Sequence, residues 1–297
     1  MDRLADPTEH LPNYYVSRRS TEAQAFSNWI KPTGTLGELT DEAHARAATL
    51  RRSLDDLRRQ AKRAKTPPSF ASALAKPDVA VIAEVKRSSP SKGVINAGIN
   101  VEQQAGAYEN GGAAAISILT EPGRFGGSNE DLVRARAAAG LPLLKKDFHV
   151  DVVQIYEAKA LGASAALVIV RAVDPARLRE LIDAGREVAL DILVEVRDEA
   201  ELTLALSLGA QIIGINNRNL ETLEIDATTA MRLIPRVPKS VIAVAESGVK
   251  TSEDVKLLAN AGADAVLVGS EVSAATDPET SVRSLTGIRR NGSARQG

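Results

Sequence analysis

Val79–Ser91 reads VAVIAEVKRSSPS, and the reading of this stretch decides the fold. It opens as an apolar run with the composition of a strand. Side chains alternate along a strand, so Glu84 and Lys86 share a face with Ile82. Val81, Ala83 and Val85 form the other face, which is small and apolar. Such a strand is covered on both sides, and charges carried into that setting are costly unless they are paired. An exposed strand end with a solvated Glu-Lys pair is the plain alternative for this one element, and the rest of the chain decides between them.

Working outward, similar apolar runs recur at Val79–Lys86, Ala114–Leu119, Leu141–Lys146, Ala165–Val170, Asp191–Val196, Gln211–Asn216, Val241–Ser247 and Ala265–Ser270. Most lack polar alternation, as expected of parallel strands buried on both faces. Between them lie helix-like segments that often stop at a Gly-Ala pair: Gly112-Ala113, Gly162-Ala163, Gly209-Ala210 and Gly262-Ala263. The runs are spaced by about 20–35 residues, one strand plus one helix. Eight such units predict an α/β fold, a closed (β/α)₈ TIM barrel. A doubly wound open sheet is the alternative. It would favour a Gly-rich dinucleotide loop after the first strand, where this chain has Arg87-Ser88-Ser89-Pro90-Ser91.

Upstream, Ala43, Ala47, Leu50, Leu54, Leu57, Ala61 and Ala64 recur at helical spacing. Thr40 or Asp41 can cap this helix, and Pro67-Pro68 end it. The expected organisation is an irregular segment over 1–40, an N-terminal helical extension over 41–78 and a catalytic barrel over 79–297. The other helix face carries Arg51, Arg52, Arg58, Arg59, Lys62 and Arg63. Such a face is either a patch for an anionic substrate or partner, or a solvated surface on a helix packed across the domain.

Composition closes off several functions. The chain has no Cys, which excludes disulfides and thiolate metal sites. His10, His44 and His149 are its only histidines, too few for a His-based metal centre or triad. A formal net charge of −1 argues against bulk nucleic-acid binding, and 3% aromatic residues leave no stacking platform for single strands. No apolar run is long enough to span a bilayer, and Asp2, Asp6 and Glu9 do not suit a secretory signal.

In a barrel of this kind chemistry sits at the C-terminal ends of the strands. The first run supplies Glu84, Lys86 and Ser89, the third Lys146, the fifth Glu195, and the sixth Asn216 and Arg218. The seventh supplies Glu246, Ser247 and Gly248, and the eighth Gly269 and Ser270. Several ionisable groups converging on one mouth define a site. Gly and Ser after the last two strands suit a phosphate held by backbone N–H groups, which predicts a phosphorylated small-molecule substrate.

The ordered set Glu84-Val-Lys-Arg-Ser-Ser-Pro-Ser, Phe125-Gly-Gly-Ser, Lys146-Asp-Phe, Leu193-Val-Glu-Val, Gly214-Ile-Asn-Asn-Arg-Asn-Leu and Ala245-Glu-Ser-Gly resembles the indole-3-glycerol phosphate synthases. The resemblance implies a (β/α)₈ barrel with an N-terminal extension and no metal or organic cofactor. It implies ring closure of 1-(2-carboxyphenylamino)-1-deoxyribulose 5-phosphate with loss of carbon dioxide and water, in the cytoplasm, as a step of tryptophan biosynthesis. Carried over position by position, Lys146 resembles the general acid on the ketone and Glu195 the base of the later proton transfers. Glu84 is similar to the carboxylate that pairs with the catalytic lysine, and Lys86 to the residue at the phosphate end. Asn216, Arg218 and Ser89 resemble groups on the substrate carboxylate and hydroxyls. Pro90, Phe125, Phe148, Leu167 and Leu220 fall where the family lines its ring pocket. Glu246 is read with the binding residues, and Ser247, Gly248, Gly269 and Ser270 match the phosphate loops.

A lysine acid works best with its pKa lowered toward neutrality, here by burial and by Lys86, with Glu84 offsetting part of the shift. Three features depart from the family pattern. Glu271-Val-Ser-Ala stands where a Leu-Met type packing pair is usual, so the last helix is expected to start differently. His149 replaces an aliphatic residue and is read as a surface or rim histidine. The N-terminal segment is longer than in most bacterial members and is read as a disordered stretch, a targeting remnant or a contact for other tryptophan-pathway enzymes. Two rivals stand beside this reading. One is another phosphosugar barrel, phosphoribosylanthranilate isomerase, which the absence of Cys disfavours because a thiol often serves as its base. The other is a non-catalytic scaffold, which the intact Glu84, Lys86, Lys146 and Glu195 set argues against.

Overall fold

The structure is a computed structural model and describes residues 29–292, 294 and 295. Eight parallel strands close into a barrel: β1 (Ala80–Val85), β2 (Ala115–Leu119), β3 (Leu143–Lys146), β4 (Ala165–Ile169), β5 (Asp191–Val196), β6 (Ile212–Asn216), β7 (Ile242–Glu246) and β8 (Ala265–Val268). Each strand pairs with the next, and β8 returns to β1 with Ala80 beside Ala265 and Ala83 beside Val268. The strands lie within the runs read from the sequence, trimmed at their ends. β3 starts at Leu143 rather than Leu141 because Pro142 has no N–H to give to the ladder. Register sets the site: Glu84 lies beside Ser117, Glu195 beside Gly214, and Asn216 beside Glu246.

Two helices precede the barrel, α1 (Gly34–Leu50) and α2 (Leu54–Arg63), joined by a 3₁₀ turn, and a short α3 (Phe70–Leu74) leads into β1. The outer layer is α4 (Val101–Asn110), α5 (Asn129–Ala138), α6 (Val152–Ala160), α7 (Pro175–Glu187), α8 (Glu199–Ser207), α9 (Thr228–Leu233) and α10 (Ser252–Ala261). The short α11 (Ser270–Ala274) and α12 (Pro278–Arg283) follow β8. The four Gly-Ala stops behave as their composition suggests. Gly112, Gly162, Gly209 and Gly262 all take positive φ, the conformation that ends a helix at little steric cost to glycine.

The extension differs from its reading. Its first helix starts at Gly34, not Thr40, and Thr40 is buried inside it with its hydroxyl on the Gly37 carbonyl. Gly34 has φ +57°, and a Cβ there would lie 2.4 Å from the Glu221 carbonyl oxygen, so only glycine seats the chain on the loop after β6. Residues 1–28 of the segment expected to be irregular fall outside the described residues. All six basic residues of that face are exposed, so it is the solvated surface of a helix packed across the barrel. Arg58 and Lys62 both reach Glu187 at the end of α7, with closest approaches of 2.6 and 2.7 Å, and Arg51 Nε donates to Asp151 at 2.6 Å. The two Glu187 pairs are part-exposed and screened by solvent. The apolar stripe of α2 packs on α6 and holds the extension across the barrel.

Candidate active site

The strand ends enclose a cavity of about 220 Å³ at the C-terminal mouth. All seventeen side chains singled out from the sequence line it: Glu84, Lys86, Ser89, Pro90, Phe125, Lys146, Phe148, Leu167, Glu195, Asn216, Arg218, Leu220, Glu246, Ser247, Gly248, Gly269 and Ser270. The charged group at its floor is compact. Lys146 Nζ lies 2.7 Å from Glu246 Oε2 and 3.5 Å from Glu195 Oε2, and Lys86 Nζ lies 2.9 Å from Glu84 Oε1. Asn216 Nδ2 donates to Glu195 Oε1 at 2.9 Å and holds that carboxylate toward the lysine. Glu84 therefore pairs with Lys86 rather than with Lys146, and Glu246 is the direct partner of Lys146. The two pairings depend on side-chain reach across the barrel mouth, which strand order alone does not give.

The electrostatics also differ from the sequence reading. Burial alone would lower the Lys146 ammonium, but Glu246, Glu195 and Glu84 surround it and hold it above its ordinary value. The expected fall toward neutrality is absent because the nearby carboxylates outweigh desolvation. Glu246 shows the other side of the balance. Burial pushes its carboxyl up to about 7, with Glu195 and Glu84 adding to the rise and Lys146 opposing it. Within this floor group three carboxylates face two ammonium groups, a local surplus of one negative charge. That surplus is shed most readily at Glu246, whose Oε1 is buried with no partner. Gly214 makes room for it, since a Cβ at that position would sit 2.1 Å from Glu246 Oε1.

One wall is apolar. Phe125 and Phe148 lie with ring centroids 6.2 Å apart, and Leu167 and Leu220 complete a slot for a planar ring. Buried carboxylates position both rings. Glu121 accepts the N–H groups of Gly123, Arg124 and Phe125 at 2.7–3.0 Å. Asp147 accepts from Arg46 of α1 and from Thr120 at 2.7 Å each, and from the Phe148 N–H at 2.8 Å. Burial would raise the Asp147 carboxyl, but Lys145, His149 and Arg46 hold it down at about 2.

His149 is not on the rim. It is 2% exposed, with Nδ1 2.6 Å from the Leu167 carbonyl oxygen and Nε2 buried without a partner. Burial lowers it to about 3, helped by Lys145 and Arg46 and opposed by Asp147. An unfolded histidine titrates near 6.5, so the folded state is the poorer proton acceptor. Stability is then full above pH 6.5 and is lost progressively as pH falls toward 3. His149→Leu is expected to remove this limb. From pH 7 to 4.5 the parent loses about 2–3 kcal/mol that the variant keeps, read from denaturant unfolding at the two pH values.

The opposite wall suits an anion. Ser247 takes φ +65° and Gly248 φ +90°. A non-glycine residue in that region is strained by on the order of 1 kcal/mol, and such strain concentrates at functional loops. Across the gap, Gly269 leaves space for the Lys86–Glu84 pair: a Cβ there would lie 2.4 Å from Glu84 Oε1 and 2.8 Å from Lys86 Nζ. Arg218 Nη1 donates to the Leu223 carbonyl at 2.7 Å.

Other residues in the cavity carry no sequence signal. Thr35 and Leu39 of α1 line the mouth, as do Lys92, Leu223 and Ile225. Ser273 lies just beneath. The helix after β8, α11, begins at Ser270, and Ser273 stands fully buried within it. Its hydroxyl donates to the Glu84 carbonyl at 2.6 Å and accepts the Lys86 N–H at 3.1 Å, which fixes the end of β1 that carries both charges.

Comparison with known proteins agrees with this geometry. The sequence profile described as Indole-3-glycerol phosphate synthase matches residues 39–285. The chain is 44% identical to Indole-3-glycerol phosphate synthase 1 of Streptomyces coelicolor over 264 residues, covering 88% of this chain and 98% of that one. It is 46% identical to Indole-3-glycerol phosphate synthase of Mycolicibacterium smegmatis over 233 residues, covering 78% and 86%. Among solved structures, 3-hexulose-6-phosphate synthase from Salmonella typhimurium superposes with a TM-score of 0.57 at 16% identity, over 70% of this chain and 96% of that one. That likeness shows the barrel fold alone. With a family profile spanning the barrel and relatives aligned over most of their length, this chain belongs to the indole-3-glycerol phosphate synthase family.

Proposed function

We propose that this chain closes the indole ring of 1-(2-carboxyphenylamino)-1-deoxyribulose 5-phosphate, releasing carbon dioxide and water. The observation that supports it best is Lys146 standing between Glu246 and Glu195, in one cavity with an apolar wall and the Gly and Ser residues that follow β7 and β8. The ring lies against the apolar wall of Phe125, Phe148, Leu167 and Leu220, and the phosphate lies against Ser247, Gly248, Gly269 and Ser270, with Lys86 adjacent. Arg218, with its planar fork, and Ser89 take the carboxylate and hydroxyls. Held this way, the ring carbon faces the ketone, and proximity supplies much of the rate. Lys146 gives its proton to the ketone oxygen as the carbon–carbon bond forms. Carbon dioxide then leaves and restores the ring electrons. Glu195, oriented by Asn216, removes a proton from the methylene beside nitrogen as the hydroxyl departs as water. The substrate phosphate and carboxylate add negative charge to the mouth, so binding favours the protonated form of Glu246.

This reading sets the enzyme in tryptophan biosynthesis in the cytoplasm. Among the described residues no helix is long and apolar enough to cross a membrane. Contacts with other pathway enzymes through the N-terminal segment belong to the same proposal. The phosphate assignment is tested by comparing the substrate with its dephosphorylated form. The phosphate is expected to lower KM by at least about a hundredfold, and equal KM values would remove the assignment.

A further inference from the structure

Glu195 is reached from two sides. Behind it lies a second cavity of about 120 Å³ that shares Ile169, Glu195, Arg218 and Leu220 with the first. The rest of its wall is mainly polar and includes Arg171, Arg197, Asp198, Glu201 and Asn219. Asp198, on its wall, is exposed to solvent. A polar space of this size has room for several waters with partners to hold them.

The reaction needs such a route. The ketone oxygen leaves as water and so collects two protons. One is returned by the methylene carbon that becomes part of the new ring. The carboxylate departs as neutral carbon dioxide and supplies none. Each turnover therefore takes up one proton from solvent, and it must reach Lys146 while substrate fills the main cavity. Lys146 and Glu195 are 3.5 Å apart, close enough to pass a proton between them.

We propose that the second cavity carries this proton, and that Glu201 passes it through water to Glu195. The inference rests on the roles assigned above to Glu195 and Lys146. Glu201 stands in the first turn of α8, where its Oε2 accepts the Arg197 N–H at 2.7 Å. That bond ties the residue before the Asp198 N-cap to the first turn, and a glutamine oxygen accepts it equally well. Its Oε1 has no hydrogen-bond partner among the described residues. The groups facing it are Asp198 and Arg197 before α8, Glu195 on β5 and Arg171 after β4. Burial pushes the Glu201 carboxyl up to about 7, with Asp198 and Glu195 adding to the rise while the Arg197 N–H and Arg171 oppose it. A group near neutrality exchanges protons efficiently in both directions.

The test is Glu201→Gln, which keeps that bond to the Arg197 N–H and the volume and removes only proton exchange. kcat at pH 7.5 is expected to fall about tenfold with KM within about twofold. Raising the concentration of a small proton carrier such as imidazole should then restore kcat in the variant and leave the parent unchanged. Glu201→His, which exchanges protons near neutrality, should retain more kcat than the glutamine variant. Parental kcat in Glu201→Gln would overturn the relay, and so would a loss that neither imidazole nor histidine repairs. Those results leave the ring-closure reading intact, because it fails only if Lys146 or Glu195 proves dispensable.

Discussion

Lys146→Ala is expected to lower kcat by about a thousandfold or more while KM changes little, followed by the growth of indole fluorescence. A positioned general acid contributes on the order of 10²–10⁴ in rate. Here the group lost is also the ammonium that balances Glu246 and Glu195, at 2.7 and 3.5 Å. The same substitution leaves a buried carboxylate cluster without its nearest cation, so its effect on stability depends on pH. Carboxyls raised above their unfolded pKa stabilise the fold while protonated, and that stability is lost as pH rises through the raised value. Glu246, already pushed up to about 7, rises further once Lys146 is gone. The variant should therefore melt close to the parent at pH 5.5 and well below it at pH 8.5. Equal melting deficits at both values would show that Lys146 does not neutralise the cluster. Parental kcat would show that it is not the acid.

Glu195→Gln should separate the steps. Glutamine can keep the Asn216 contact that Glu195 makes at 2.9 Å, but it cannot take a proton. Loss of a general base costs on the order of 10²–10⁴ in kcat. Ring closure and decarboxylation precede the step assigned to Glu195. A rapid-quench experiment is expected to show carbon dioxide released at up to one equivalent per site, with indole appearing only at the slow steady-state rate. Carbon dioxide and indole slowing together would move Glu195 to the first step.

These residues show what the sequence can carry. The eight strands were legible because parallel strands under helices are continuous Val, Ile and Leu runs, and a Glu or Lys at the end of such a run has no packing reason to be there. Lys146, Glu195 and Glu246 stand out by that argument alone. Their pairing does not. Whether Glu84 meets Lys86 or Lys146 depends on barrel register and side-chain reach between strands far apart in the chain. The protonation of Lys146 followed the same course: burial was foreseeable, but the sum over Glu246, Glu195 and Glu84 required their positions. Thr35 and Leu39 were invisible because nothing in a helix stripe says which surface it covers. His149 was misread because a lone histidine carries no sign of burial, and only the shell between β3, β4 and α6 supplies it. The pairing of Arg58 and Lys62 with Glu187 was not legible, because Glu187 lies 125 and more residues downstream.

The central claim is that one cavity unites an acid, a base, a ring slot and an anion loop around a single substrate. It is tested most directly by mixing the purified chain with 1-(2-carboxyphenylamino)-1-deoxyribulose 5-phosphate and recording indole fluorescence and released carbon dioxide together. One indole-3-glycerol phosphate is expected for each carbon dioxide. A chain that binds the compound and releases neither, or releases carbon dioxide without ever forming indole, would contradict it.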